Sequence, residues 1–167
     1  MPEYEPTVRS VITPNDQFLR NVFNTPKAYF IDIYQREYKW TVENVKTLLN
    51  DIEVQFKINQ RTKTEPREVQ AEVQERFEPY FLNTYLTHST PTTTSIVDGQ
   101  QRLTTLLLIF IKLYKILKVV ESDTGYVLKT FSSQTLEKLI FESDDFGEAK
   151  RFKIFNENRE ATFRQLL

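Results

Sequence analysis

The chain has 167 residues, 40% hydrophobic and 27% charged, with formal net charge −1, no cysteine, one histidine and three glycines. That length supports one domain with a sizeable core, while the missing cysteines and lone histidine exclude disulfides, thiolate zinc sites and a two-histidine metal clamp. With glycines only at 99, 125 and 147, neither the G-x-x-x-x-G-K-[ST] loop nor the G-x-G-x-x-G turn can be written, and 22 basic against 23 acidic residues is not the excess of a broad DNA-binding face.

Met1 to Ser10 carries two glutamates and no apolar run, so no signal peptide is expected, and the cysteine-free composition suits a reducing cytoplasm. Thr13-Pro14-Asn15-Asp16 is a helix-start signal for a short helix to about Phe23. Ala28 to Ile33 reads as a short buried strand leading into Tyr34-Gln35-Arg36-Glu37-Tyr38-Lys39-Trp40. Thr41 caps a helix to about Ile58, where Val42, Val45, Leu48, Leu49, Ile52 and Phe56 recur every three or four residues and predict one apolar stripe toward the core. Residues 59–78 are polar and heavily charged around Pro66, the composition of a mobile excursion.

Tyr80 to Leu86 reads as a strand, Ser89 to Thr94 as a turn holding a solvated His88 beside it, and Ser95-Ile96-Val97 as a strand that stops at Asp98. The helix that follows is apolar nearly all round between Leu106 and Ile111, which marks a central element covered on several sides. Lys112, Lys115 and Lys118 interrupt it, so it is a buried helix and not a membrane span. A helix around Ser133 to Phe141, an acidic run at Glu142, Asp144 and Asp145, a strand around Arg151 to Phe155 and a helix from about Glu157 complete the pass. The last helix shows no stop signal at Leu167, so 1–167 is expected to be one domain that continues into a larger unit. The order of elements is that of an α+β fold: a small mixed sheet, a central buried helix and surrounding helices.

Chemistry concentrates at Asp98-Gly99-Gln100-Gln101-Arg102, where a strand turns into a helix. A helix N-terminus presents unpaired N–H groups and partial positive charge, so it can hold a phosphate without a Walker loop. Gly99 permits close backbone approach, Arg102 can bond phosphate oxygens in pairs, Asp98 can hold Mg²⁺, and Gln100 or Gln101 can orient an attacking water. The alternative is structural, because Asp98 followed by Gln101 has the spacing of a capping box. The segment 34–40 offers Arg36 as a second phosphate clamp and Tyr38 or Trp40 as a stacking surface. Here too the alternative is structural, with the aromatics as core anchors.

Three motifs in order resemble the DGQQR-motif family, the N-terminal domain of Gmr-type modification-dependent (type IV) restriction enzymes and related phage-defence proteins, in the ParB/sulfiredoxin-like superfamily. Ile31 to Trp40 resembles the family's I-P-x-[YF]-Q-R-x-Y-x-W, Tyr80-Phe81-Leu82 its YFLG strand, and Ile96 to Leu106 its I-V-D-G-Q-Q-R-L-T-T-L. Asp32 stands where the family has Pro, and Asn83 where it has Gly. The resemblance implies a ParB/sulfiredoxin-like core and an NTP-binding and NTP-hydrolysing regulatory domain, with Mg²⁺ as the companion of the substrate. Asp98, Gln100, Gln101 and Arg102 would be catalytic, Asp98 the metal ligand, and Gln35, Arg36, Tyr38, Trp40 and Gly99 nucleotide-binding. DNA would be met through the full-length protein, whose C-terminal nuclease domain or subunit needs an HNH-type motif that a chain with one His does not carry. The alternative function is a non-catalytic module of ParB-like type that binds a nucleotide or a DNA phosphate, and the isolated chain is expected to lack activity if the rest of its unit is missing.

Overall fold

A computed structural model describes residues 12–61, 78–128, 131–142 and 150–167. Among the described residues five helices, α1 (Leu19–Phe23), α2 (Val42–Arg61), α3 (Gln100–Thr124), α4 (Ser133–Ile140) and α5 (Glu157–Gln165), surround four short strands, β1 (Tyr29–Phe30), β2 (Leu86–Ser89), β3 (Thr94–Asp98) and β4 (Ile154–Phe155). The sheet is mixed, in the order β2-β3-β1-β4, with β1 parallel to both β3 and β4 and β2 antiparallel to β3. The expected α+β arrangement of a small mixed sheet and a central helix is therefore present.

The core lies where α3 crosses the sheet and meets α4. Ile96, Leu107, Ile111, Leu136, Ile140, Phe152 and Ile154 are fully buried there, and Phe23 closes one side with its ring edge-on to Phe110 at 5.0 Å. Burial of so many branched and aromatic side chains is the main stabilising term, at roughly 1.5–3 kcal/mol each. Leu106, Leu107 and Ile111 are buried and Leu108, Ile109 and Phe110 pack partly against the core, as the all-round apolar run predicted. The helix stops at Gly125, a left-handed residue whose N–H bonds the carbonyl of Glu121.

Three local expectations differ from the fold. The strand expected over 80–86 lies further on: 78–85 is irregular, pairing begins at Leu86, and His88 is an exposed strand residue opposite Ser95. Asn83 takes a left-handed conformation, φ 75°, which breaks an extended run at that point. The hairpin turn is the four residues 90–93, held by Thr90 N–H to the Thr93 carbonyl and Thr93 N–H to Thr90 Oγ1. Around β1, only Tyr29 and Phe30 of the six residues 28–33 form strand, because Asp32 and Gln35 close a turn.

The α2 stripe is also less buried than its period suggests. Leu48 is 6% exposed and Ile52 packs partly against the core, yet Val42 is 67% and Phe56 50% exposed. The helix is held in part by polar contacts: Tyr80 donates to Asp51, and Asn59 exchanges two bonds with the backbone of Glu78. Asn59 thus pins both ends of the charged excursion, while 62–77, where its mobility was expected, lie outside the described residues. Most of the acidic run is outside them too, and Glu142 serves the fold by accepting from the Ala28 N–H at 2.7 Å.

Candidate functional site

Gly99 is the N-cap of α3 and has φ +87°. A Cβ built there would lie 2.7 Å from Tyr85 Cβ, so glycine is required both by the backbone conformation and by the packing of the preceding segment. The left-handed turn lets Asp98 Oδ1 accept from the Gly99 N–H at 2.8 Å and starts α3 without a side-chain cap. The capping-box reading of Asp98 and Gln101 is therefore corrected: Asp98 bonds its immediate neighbour and stays exposed, and Gln101 points elsewhere.

Gln101 reaches across to the 34–40 loop. Its Oε1 accepts from the N–H of Lys39 at 2.6 Å and of Trp40 at 3.3 Å, while its Nε2 donates to the Glu37 carbonyl at 2.9 Å. Gln100 donates to the Arg36 carbonyl at 3.2 Å, and Gln35 donates to the carbonyl of Ile96 in β3. Thr105 gives its hydroxyl proton to the Gln101 carbonyl, so Tyr38 is the donor in its 2.8 Å bond to Thr105 Oγ1. The two motifs, some sixty residues apart in sequence, are in this way stitched together by side-chain amides and one phenol.

This stitching orients the cations. The pinned Arg36 carbonyl leaves its side chain exposed beside Arg102, whose guanidinium lies 6.0 Å from the Trp40 ring and donates to the Thr84 carbonyl at 3.5 Å. Arg36, Trp40, Asn83, Thr84, Asp98, Gly99, Gln101 and Arg102 together line a cleft of about 180 Å³. Two guanidinium groups and the head of a 25-residue helix converge on it, an arrangement that attracts anions.

The expected site residues fall into two groups. Asp98, Gly99, Gln101, Arg102, Arg36 and Trp40 line the cleft; Gln35, Tyr38 and Gln100 do not line it and serve to fix its walls. Trp40 has both roles, packing partly against the core while its ring faces Arg102. Sequence reasoning missed Arg159, which extends from α5 to donate to the Arg36 carbonyl at 3.2 Å and to Thr104 Oγ1 at 3.4 Å. Burial pulls its guanidinium down from the usual range, with Glu37 and Tyr38 opposing that shift. Its neighbour Asn156, at the start of the same helix, donates to the Ile31 carbonyl at 3.0 Å. Only the position of a polar pair at a helix start signalled either residue.

Among the described residues no three His, Cys, Asp or Glu gather to hold a metal, and no helix is long and apolar enough to cross a membrane. The chain matches the family described as GmrSD restriction endonuclease, N-terminal domain, over residues 19–167, and it belongs to that family. No curated protein matches it. Membership makes this chain part of a restriction endonuclease system, with DNA as the polymer that system acts on.

Proposed function

We propose that this member of the family binds a nucleoside triphosphate at the head of α3 and hydrolyses it, regulating a modification-dependent, phage-defence DNA endonuclease whose nuclease domain lies outside this chain. The observation that carries the reading is the convergence of Arg36, Arg102 and the α3 N-terminus on one cleft. Its volume of about 180 Å³ is below the ~300–1,000 Å³ of pockets that engulf whole ligands. Phosphate groups fit inside it, and the sugar and base extend outward past Trp40. A ParB/sulfiredoxin-like ancestry for the small sheet belongs to the same reading.

The roles follow from what each side chain is free to do. Arg36 and Arg102 contact phosphate oxygens and neutralise charge as it develops on them. The exposed carboxylate of Asp98 suits Mg²⁺, which takes one or two protein carboxylates and completes its shell with phosphate and water; the ion would offset phosphate charge. Gln100 gives its Nε2 to the Arg36 carbonyl while its buried Oε1 has no partner among the described residues, whereas Gln101 is spent on the backbone of 37–40 and positions the loop, which differs from the expectation that it orients the attacking water. That same commitment favours a second reading, a phosphate-binding module without turnover.

Phosphate release from GTP, ATP, CTP and UTP by the full-length protein separates the two. Release from at least one, lowered about 100-fold in kcat/KM by Arg102→Ala, is expected. Binding without release supports the second reading, and unchanged release in the variant overturns the assignment of Arg102.

A further inference from the structure

We infer that a second, basic cleft, where α3, α4 and α5 meet, is a docking surface for the phosphate backbone of duplex DNA. The cleft measures about 590 Å³, and among the described residues Lys115, Lys118, Lys150 and Arg164 line it against a single acidic lining residue, Glu137. With Lys150 paired to Glu137 and Arg164 to Glu160, Lys115 and Lys118 leave a local excess of two positive charges, a segregated patch in a chain of net charge −1. Along α3, Lys112 continues the row at three-residue spacing, so Lys112, Lys115 and Lys118 are exposed over about 9 Å, between two and three of the ~3.4 Å axial steps by which phosphates advance along a DNA strand.

The charges differ in how far they are already engaged. Lys150 pairs with Glu137 at 2.6 Å and Arg164 with Glu160 at 2.6 Å, so the far rim is partly neutralised. Lys118 lies over the Tyr114 ring at 5.1 Å, which holds its ammonium at the cleft while leaving it charged. Lys115 is exposed beside it. Glu137 and Glu160 are half-buried while Lys150 and Arg164 are exposed, so the two pairs are only partly open to competition by phosphate. Three or four phosphate contacts are within reach, which corresponds to sequence-independent binding in the micromolar class. The patch shares no lining residue with the cleft at the head of α3 and lies about 20 Å along that helix from Arg102, counted from residue 102 to 115 at 1.5 Å each. It depends on no nucleotide chemistry.

The test is fluorescence anisotropy of the 167-residue chain on a labelled duplex of about 25 base pairs over a salt series. The expected slope of log K against log salt is about −3. Lys115→Gln with Lys118→Gln is expected to weaken binding about tenfold and make the slope shallower by about 2, with an unchanged melting temperature. Lys46→Gln with Lys57→Gln, a matched pair on α2, is expected to have no effect. Failure of the wild-type chain to bind duplex, equal losses in the two double variants, wild-type affinity in the Lys115/Lys118 variant, or preference for an acidic peptide over duplex each overturns the inference.

Discussion

Gln101 shows how a motif residue can be indispensable without touching a ligand. It is 5% exposed, and its carboxamide satisfies two N–H groups and one carbonyl of the 36–40 loop at once. Gln101→Ala would strand those groups, so a loss of about 2–3 kcal/mol in urea unfolding is expected. A loss within about 0.5 kcal/mol would show that the loop does not depend on these bonds. Gly99 and Asn83 are the two left-handed residues at the cleft edge, and they solve the same problem differently. Gly99 needs the space that a Cβ would take from Tyr85. Asn83 adopts φ 75° and its Oδ1 accepts from the Thr84 N–H at 2.8 Å, the local bond that makes asparagine the most tolerant side-chain-bearing residue there.

Helix α3 links the functional end of the domain to its core and, through Glu121 in its last turn, to α4. Glu121 accepts from both the N–H and the hydroxyl of Ser133, the first residue of α4, at 2.8 and 2.5 Å. Those bonds hold its carboxyl below the usual carboxylate range. A carboxyl depressed in the folded state adds stability above its unfolded pKa, near 4.3, and loses it as pH falls through the lower folded value. The wild type should therefore melt above Glu121→Gln at neutral pH, and the gap should close in acid below that window. A gap that is constant from pH 7 downward would assign the effect to geometry and not to charge. The short strands illustrate the other side of element formation. Tyr80 to Tyr85 have strand-like composition, yet their side chains are used on α2 and near the N-terminus, Tyr80 on Asp51 and Tyr85 on Gln17, and pairing starts one residue later.

At the scale of the whole molecule, binding and folding are linked. A triphosphate seated on Arg36 and Arg102 at about 100 times its Kd adds about 2.7 kcal/mol to stability, so a rise of about 5–10 °C in melting temperature is expected for the wild type. The Arg36→Ala, Arg102→Ala double variant should show none; an equal rise would locate the ligand elsewhere. Local sequence determined much of this protein: the three motifs, the central helix from its all-round apolar run, the helix start at Asp98-Gly99, and the exclusion of glycine-rich loops and cysteine-based sites. These depend on period, turn chemistry and composition, which act within a few residues. Only the tertiary structure decided that Gln101 serves the 36–40 loop instead of a capping box, that Tyr38 bonds Thr105 and lies outside the cleft, that Arg159 braces Arg36 from α5, and that α2 buries little of its stripe. Each of those outcomes depends on partners 60 to 125 residues away or on how much surface a neighbour covers. No local pattern records such distances, because a side chain's hydrogen-bonding capacity is the same whichever distant group the fold brings to it.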